Sequence, residues 1–229
     1  MRAYLISLCL LCIFSCKKNT KIVSSNNLSQ GKNIKNRDSS FQFKTIGISL
    51  IKSYDFPKEW SINTYEDSNI QLEKKDIEAQ NKFEEIDYYN ITSGSKIESI
   101  NSNLTNFIKK DSLLSSAKID SLFVVDSIIL KNSKKILVLK SFATIDNDNF
   151  EYPIKIYKID VVLFNKSTAL NSINIYSEVD YPFSTKKNIC YLDNKGKLYC
   201  KKFTIDEIKG YYDGFYYNDL NKIFNIKEK

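Results

Sequence analysis

Residues 187–204 read KNICYLDNKGKLYCKKFT. Two short runs rich in apolar and aromatic residues, Ile189 to Leu192 and Leu198 to Cys200, flank Asp193-Asn194-Lys195-Gly196-Lys197, and Gly196 is available for the positive φ that a tight reversal needs. Pairing Tyr191 with Tyr199 and Leu192 with Leu198 closes that loop and sets Cys190 directly opposite Cys200. The stretch therefore predicts an antiparallel hairpin, across which a disulfide is sterically possible.

The same texture runs upstream. Strands are predicted at about 121–130, 135–144, 152–164, 171–179, 187–192 and 198–204, divided by Asn132-Ser133, Asn147-Asp148-Asn149 and Asn165-Lys166-Ser167. Parallel crossovers need a dozen or more intervening residues, and these turns are far shorter, so a meander follows. Downstream, Tyr211, Tyr212, Phe215, Tyr216 and Tyr217 surround Asp213-Gly214. That pattern fits a tight hairpin whose rings would receive sugars or a partner's side chains. It equally fits a strand packed on the core or at the sheet edge.

The earlier part of the domain is more mixed. Phe41 to Ile48 has strand composition, and Trp60, Ile62 and Thr64 alternate before Ile70 and Leu72, which suggests a hairpin around Asp67. Ala79, Phe83 and Ile86 have helical spacing, whereas Tyr88-Tyr89 favours strand. A helix is predicted over 96–108, where Ile97, Ile100, Leu104, Phe107 and Ile108 make one apolar stripe. Ser95 and Glu98 form its capping box. The fold class expected is α+β: a largely antiparallel β-sheet meander with at least one packed amphipathic helix, an all-β sandwich being the alternative.

The chain opens MRAYLISLCLLCIFSC. Its apolar run from Ala3 to Phe14 would make a helix of roughly 18 Å at 1.5 Å per residue, short of the roughly 30 Å hydrocarbon core. One basic residue, a compact apolar stretch and a small residue before a break are the marks of a cleaved export signal. Ile13-Phe14-Ser15-Cys16 resembles the lipobox of bacterial lipoproteins. The resemblance covers only the first sixteen residues. It implies a signal peptide of residues 1–15, cleavage before Cys16, a diacylglyceryl group on the Cys16 sulfur, and acylation of the new amine by a chain such as palmitate. With Lys17 rather than Asp after the cysteine, it also implies the outer membrane, facing the periplasm. Residues 17–40 carry no aromatic residue and few aliphatics, so 16–40 is read as the lipidated cysteine and a flexible linker, with a single β-rich domain over 41–229.

Composition sets the exclusions. The formal net charge is +7, yet Arg2 and Arg37 are the only arginines. Nucleic-acid readers favour Arg for bidentate contacts, and the chain's Lys, Asn and Ile richness matches A/T-rich codons, so no nucleic-acid partner is expected. The chain has no His, which removes Ser-His-Asp and Cys-His catalysis and His-ligated zinc. Cys9 and Cys12 leave with the signal and Cys16 takes lipid, leaving Cys190 and Cys200 as a pair for a disulfide. No metal or cofactor is expected: Asp146 to Glu151 offers oxygen ligands but places Phe150 and Glu151 where a calcium loop wants a ligand and Gly. No catalytic set is identified. The function expected is a membrane-anchored envelope lipoprotein acting as a non-enzymatic interaction or structural module, with the bilayer and an envelope protein or glycan as partners. Two alternatives stand beside it: glycan or cell-wall binding through the 211–217 aromatics, and a His-free hydrolase using paired carboxylates such as Glu84-Glu85, Asp206-Glu207 or Glu178 with Asp180.

Overall fold

The computed structural model describes residues 42–64, 69–91, 104, 107–108, 111–130, 132–146 and 151–226. Residues Ser40–Lys229 form one compact unit. The strands are β1 (Glu59–Ser61), β2 (Lys118–Ile129), β3 (Lys134–Ile145), β4 (Ile154–Asn165), β5 (Thr168–Tyr181), β6 (Ser184–Leu192), β7 (Lys197–Asp206) and β8 (Lys209–Asp219). They make a single antiparallel sheet in the order β1-β8-β7-β6-β5-β4-β3-β2. Short helices accompany it, among them α1 (Leu50–Ser53), α2 (Lys74–Glu84), α3 (Tyr88–Ile91) and α4 (Leu220–Ile223), and Leu104, Phe107 and Ile108 are helical as well. So little helix also leaves the domain compatible with an all-β description, although its strands form one sheet.

The six predicted strands become β2 to β7, and the turn residues show why. Asn132 and Ser133 both take left-handed conformations, φ 60° and 61°, which match the twist of the strands they join. Gly196 has φ +80°, and a Cβ there would lie 2.6 Å from the Phe43 ring. The register of β6 and β7 is the one expected: Cys190 faces Cys200, Tyr191 faces Tyr199 and Leu192 faces Leu198. Cys190 and Cys200 are disulfide-bonded and almost fully buried.

Central strands β3 and β4 are buried on both faces, which is why their sequences run apolar rather than alternating. On the first face Ile136, Val138, Ile159, Val161 and Leu163 meet Trp60, Ala79, Ile86 and Tyr88 from the N-terminal segments. On the second, Leu137, Leu139, Ile156, Val162 and Phe164 meet Leu104, Ile108 and Leu114.

Four expectations differ from what is found. Tyr88-Tyr89 is not strand but opens helix α3, where the Tyr88 side chain turns into the first core and its hydroxyl donates to the Ser141 carbonyl. Residues 42–48 are not a strand: Ile46 makes one isolated bridge to Leu192, and Phe43 N–H donates to the Asn194 carbonyl. The β5–β6 ladder ends at Tyr176 and Ile189, so the N-terminal segment takes up backbone groups that β5 no longer reaches. The strand containing Trp60 pairs with β8 rather than with residues 70–72, because the Trp60 ring has its seat over Gly210. Finally, Asp213-Gly214 is not a hairpin turn. Gly210 to Tyr217 lies within β8, and Asp213 is absorbed as a bulge between Tyr212 and Gly214, which face Phe203 and Lys202. Most of the helix predicted over 96–108, residues 147–150 of the acidic turn, the signal, Cys16 and the 16–40 linker lie outside the described residues.

Loss of the disulfide is expected to cost about 2.5–3 kcal/mol, the loop-closure value for so short a ring. Urea unfolding of wild type against Cys190→Ala/Cys200→Ala, both without reductant, measures it. Equal midpoints would show the bond to be absent or without effect.

Candidate functional site

Strand β8 carries all five predicted aromatics, and it does not bring them together. Tyr211 and Tyr212, adjacent in a strand, belong to opposite faces of the sheet. The Tyr212 ring turns into the first core, 5.7 Å from Phe203. Tyr216 points to the second face, where its hydroxyl donates to Asn188 Oδ1 at 3.0 Å. Phe215 and Tyr217 alone present open rings, 53% and 48% exposed.

Neighbouring strands extend this surface with residues that sequence reading used only for register. Tyr191, Tyr199 and Tyr217 line up across β6, β7 and β8, with ring centroids 6.3 Å and 5.3 Å apart. Lys52 from α1 reaches over the Tyr199 ring at 4.6 Å. The successive ring planes are inclined by 36° and 65°. Such rings offer grips at several angles and not the single flat platform on which a sugar ring stacks.

The edge beside these rings is the other notable feature. β1 covers β8 only at Lys209, Gly210 and Tyr211, and one further bond runs from Tyr212 N–H to the Lys58 carbonyl. Beyond it no strand pairs with the outer edge of β8 among the described residues. Where β1 leaves off there is a cleft of about 590 Å³ lined by Lys58, Glu59, Thr204, Tyr211, Tyr212 and Asp213. Thr204 Oγ1 donates to Asp213 Oδ2 at 2.7 Å, which holds the bulge, and Lys209 pairs with Glu59. Burial foremost lifts the Tyr212 hydroxyl above its ordinary pKa, so it stays neutral.

A second, smaller pocket of about 190 Å³ lies on the second face and holds two carboxylates, Asp111 and Asp160. Between them stands the buried Lys158, 2.5 Å from Asp111 Oδ2 and 3.5 Å from Asp160 Oδ2. Burial raises the Asp160 pKa, against the pull of Lys158 and of a hydrogen bond from Asn174. Asn174 accepts in turn from Asn188, which accepts from Tyr216, so a polar chain crosses the sheet from Asp111 to β8. A general acid and base need free carboxyls facing a substrate; these two share one ammonium. Most of the carboxylates singled out from sequence are also engaged. Glu84 accepts from Gln80 and Glu85 pairs with Lys82. Glu178 pairs with Lys187 and accepts from Tyr176, and Asp180 accepts from Thr185. Asp206 caps the backbone of Ile208 and Lys209, and the exposed Glu207 lies beside it in that turn.

The first face buries two further lysines. Lys140 donates to the Tyr88 carbonyl at 3.0 Å and lies over the Tyr88 ring at 4.1 Å. Lys201 donates to the Tyr54 carbonyl. Burial pulls both ammonium groups below the ordinary lysine pKa. Each bonds a backbone carbonyl of the N-terminal cover, so both fasten that cover to the sheet. Among the described residues no group of His, Cys, Asp and Glu is arranged to hold a metal, and no helix is long and apolar enough to cross a membrane. Compared with known proteins, the chain matches no family model, no curated protein and no solved structure.

Proposed function

We propose that this protein is a lipid-anchored envelope lipoprotein, held by acylated Cys16 in the outer membrane facing the periplasm, whose sheet domain is a non-enzymatic binding module. Its partner is a protein segment that docks in extended form along the outer edge of β8. One observation carries this reading: β8 has eleven residues, β1 covers three of them, and the uncovered part bears the half-exposed rings of Phe215 and Tyr217. An added strand would take affinity from the backbone and specificity from alternate side chains. The cleft at Glu59, Tyr211 and Asp213 would receive the side chain at its end. We further read residues 96–108 as an amphipathic helix packed on the second face. Burial of Leu104 and Ile108 in that core supports it.

The test is a photo-crosslinking amino acid placed at Phe215 or Tyr217 in the full chain in cells, with Leu170 as an exposed control. A discrete protein adduct is expected at 215 and 217 and not at 170. Phe215→Lys should reduce the adduct at 217 by tenfold or more, equivalent to about 1.4 kcal/mol of binding, since a lysine blunts strand addition. Equal labelling at all three sites, or an adduct indifferent to Phe215→Lys, would overturn the docking edge.

A further inference from the structure

The two ends of the meander differ in chemistry. One end gathers the β3–β4, β5–β6 and β7–β8 turns, where exposed Asp146, Glu151 and Glu207 offset the exposed Lys155 and Lys186, beside exposed Tyr152, Phe183 and Ile208. The other gathers the β2–β3, β4–β5 and β6–β7 turns and carries lysines in series. These are Lys134 at the start of β3, Lys166 between β4 and β5, Lys195 between β6 and β7, and Lys222 in α4, whose Leu220 N–H bonds the Gly196 carbonyl. Among the described residues none of these four lysines has a carboxylate partner. The acids at this end are occupied, Asp193 by the N–H groups of Lys195 and Lys197, and Asp219 by the Lys197 ammonium.

Phe43 locates the incoming chain at this same end, its N–H on the Asn194 carbonyl and its ring beside Gly196. The described chain thus begins at the lysine-bearing end. The acidic and apolar turns lie about 30–40 Å away, the length of the intervening strands at about 3.3 Å per residue.

We infer that the lysine-bearing end is a docking face for anionic phospholipid headgroups, which turns the acidic, apolar end outward. This rests on the lipid-anchor reading, because the tether delivers that end to the bilayer. Several lysines held around one rim gain from a negatively charged surface together, within a Debye length of it.

The experiment places the purified full chain in vesicles of neutral phosphatidylcholine, or of phosphatidylcholine with phosphatidylglycerol. Lysines are labelled with an amine-reactive ester and read by peptide mass. Labelling of Lys134, Lys166, Lys195 and Lys222 is expected to fall severalfold in the anionic vesicles only, while Lys155 and Lys186 at the opposite end keep their rates. Protection should vanish in about 1 M salt, where the Debye length is about 3 Å. The variant Lys134→Glu/Lys166→Glu/Lys195→Glu, checked for an unchanged thermal midpoint, should lose protection at Lys222. Intact mass of the same sample reports acylation. An acylated chain with equal labelling in both lipids overturns the docking face and leaves the anchor standing. An unacylated chain overturns the anchor; mixed with the same vesicles it still reads the face, which is upheld by protection and overturned by its absence.

Discussion

Lys158→Met is expected to destabilise the domain by about 3–5 kcal/mol, the cost of removing one partner from a buried ion pair. The residue is 2% exposed and its ammonium stands between Asp111 and Asp160. Methionine fills the space of the stem and leaves Asp160 buried with the Asn174 amide alone. The pH dependence has a definite sign. Burial already raises the Asp160 pKa in the folded protein above its unfolded value, and loss of Lys158 raises it further. Such a group contributes stability that is complete below the unfolded pKa of about 3.9 and is lost as pH rises through the folded one. The deficit of Lys158→Met should therefore be greatest at neutral pH and shrink as the solution is acidified. Urea midpoints for both proteins from about pH 8 to about pH 4 test this. A deficit that holds constant or widens on acidification would mean that Asp160 is not the group left stranded. Adding Asp160→Asn to Lys158→Met should recover most of the loss, because an ion pair replaced whole costs far less than one cut in half.

The second large effect is expected at the junction of β1 and β8. Trp60 is 1% exposed, and a Cβ at Gly210 would collide with its indole ring. Trp60→Ala should cost about 3–5 kcal/mol, as for other buried large aromatics. Gly210→Ala should be strongly destabilising alone and nearly harmless in the Trp60→Ala background, where the added methyl meets empty space. A double-mutant cycle by thermal or urea unfolding reads this coupling. Additive effects would place the Trp60 ring elsewhere than over Gly210.

How much of this was legible follows from the range over which each feature is determined. Strands β2 to β7 and the Cys190–Cys200 register come from patterns within a dozen residues: alternation, turn residues, the spacing between them. They could be read directly. Phe41 to Ile48 has the composition of a strand, yet whether it becomes one depends on where the β5–β6 ladder stops, more than a hundred residues on. Trp60 alternates with its neighbours as a hairpin strand would, but its partner is chosen by a glycine at 210. Asp213-Gly214 carries a turn signature that the surrounding ladder converts to a bulge once Thr204 supplies a bond to Asp213. The aromatic site shows the same limit. Its five residues were visible as a cluster in sequence, while strand geometry sends Tyr212 and Tyr216 inward and recruits Tyr191 and Tyr199 from other strands. Paired residues such as Lys158 with Asp111 leave no local signal, since any lysine and aspartate 47 positions apart look alike in a sequence.

The meeting of β1 with β8 also sets the order in which the chain can finish folding. From β2 onward every ladder joins neighbours along the chain, so the sheet can zip hairpin by hairpin over short closures. Its N-terminal cover obeys a different schedule. Glu59 waits for Lys209, 150 residues later, and Tyr54 waits for Lys201, 147 residues later. A polypeptide made or threaded from its N-terminus therefore holds Trp60 and Phe56 uncovered until nearly its last segment arrives. A premature stop between Leu192 and Gly210 leaves a sheet on which Trp60 has no seat, and that fragment would be marked for aggregation or proteolysis by the aromatics it cannot bury.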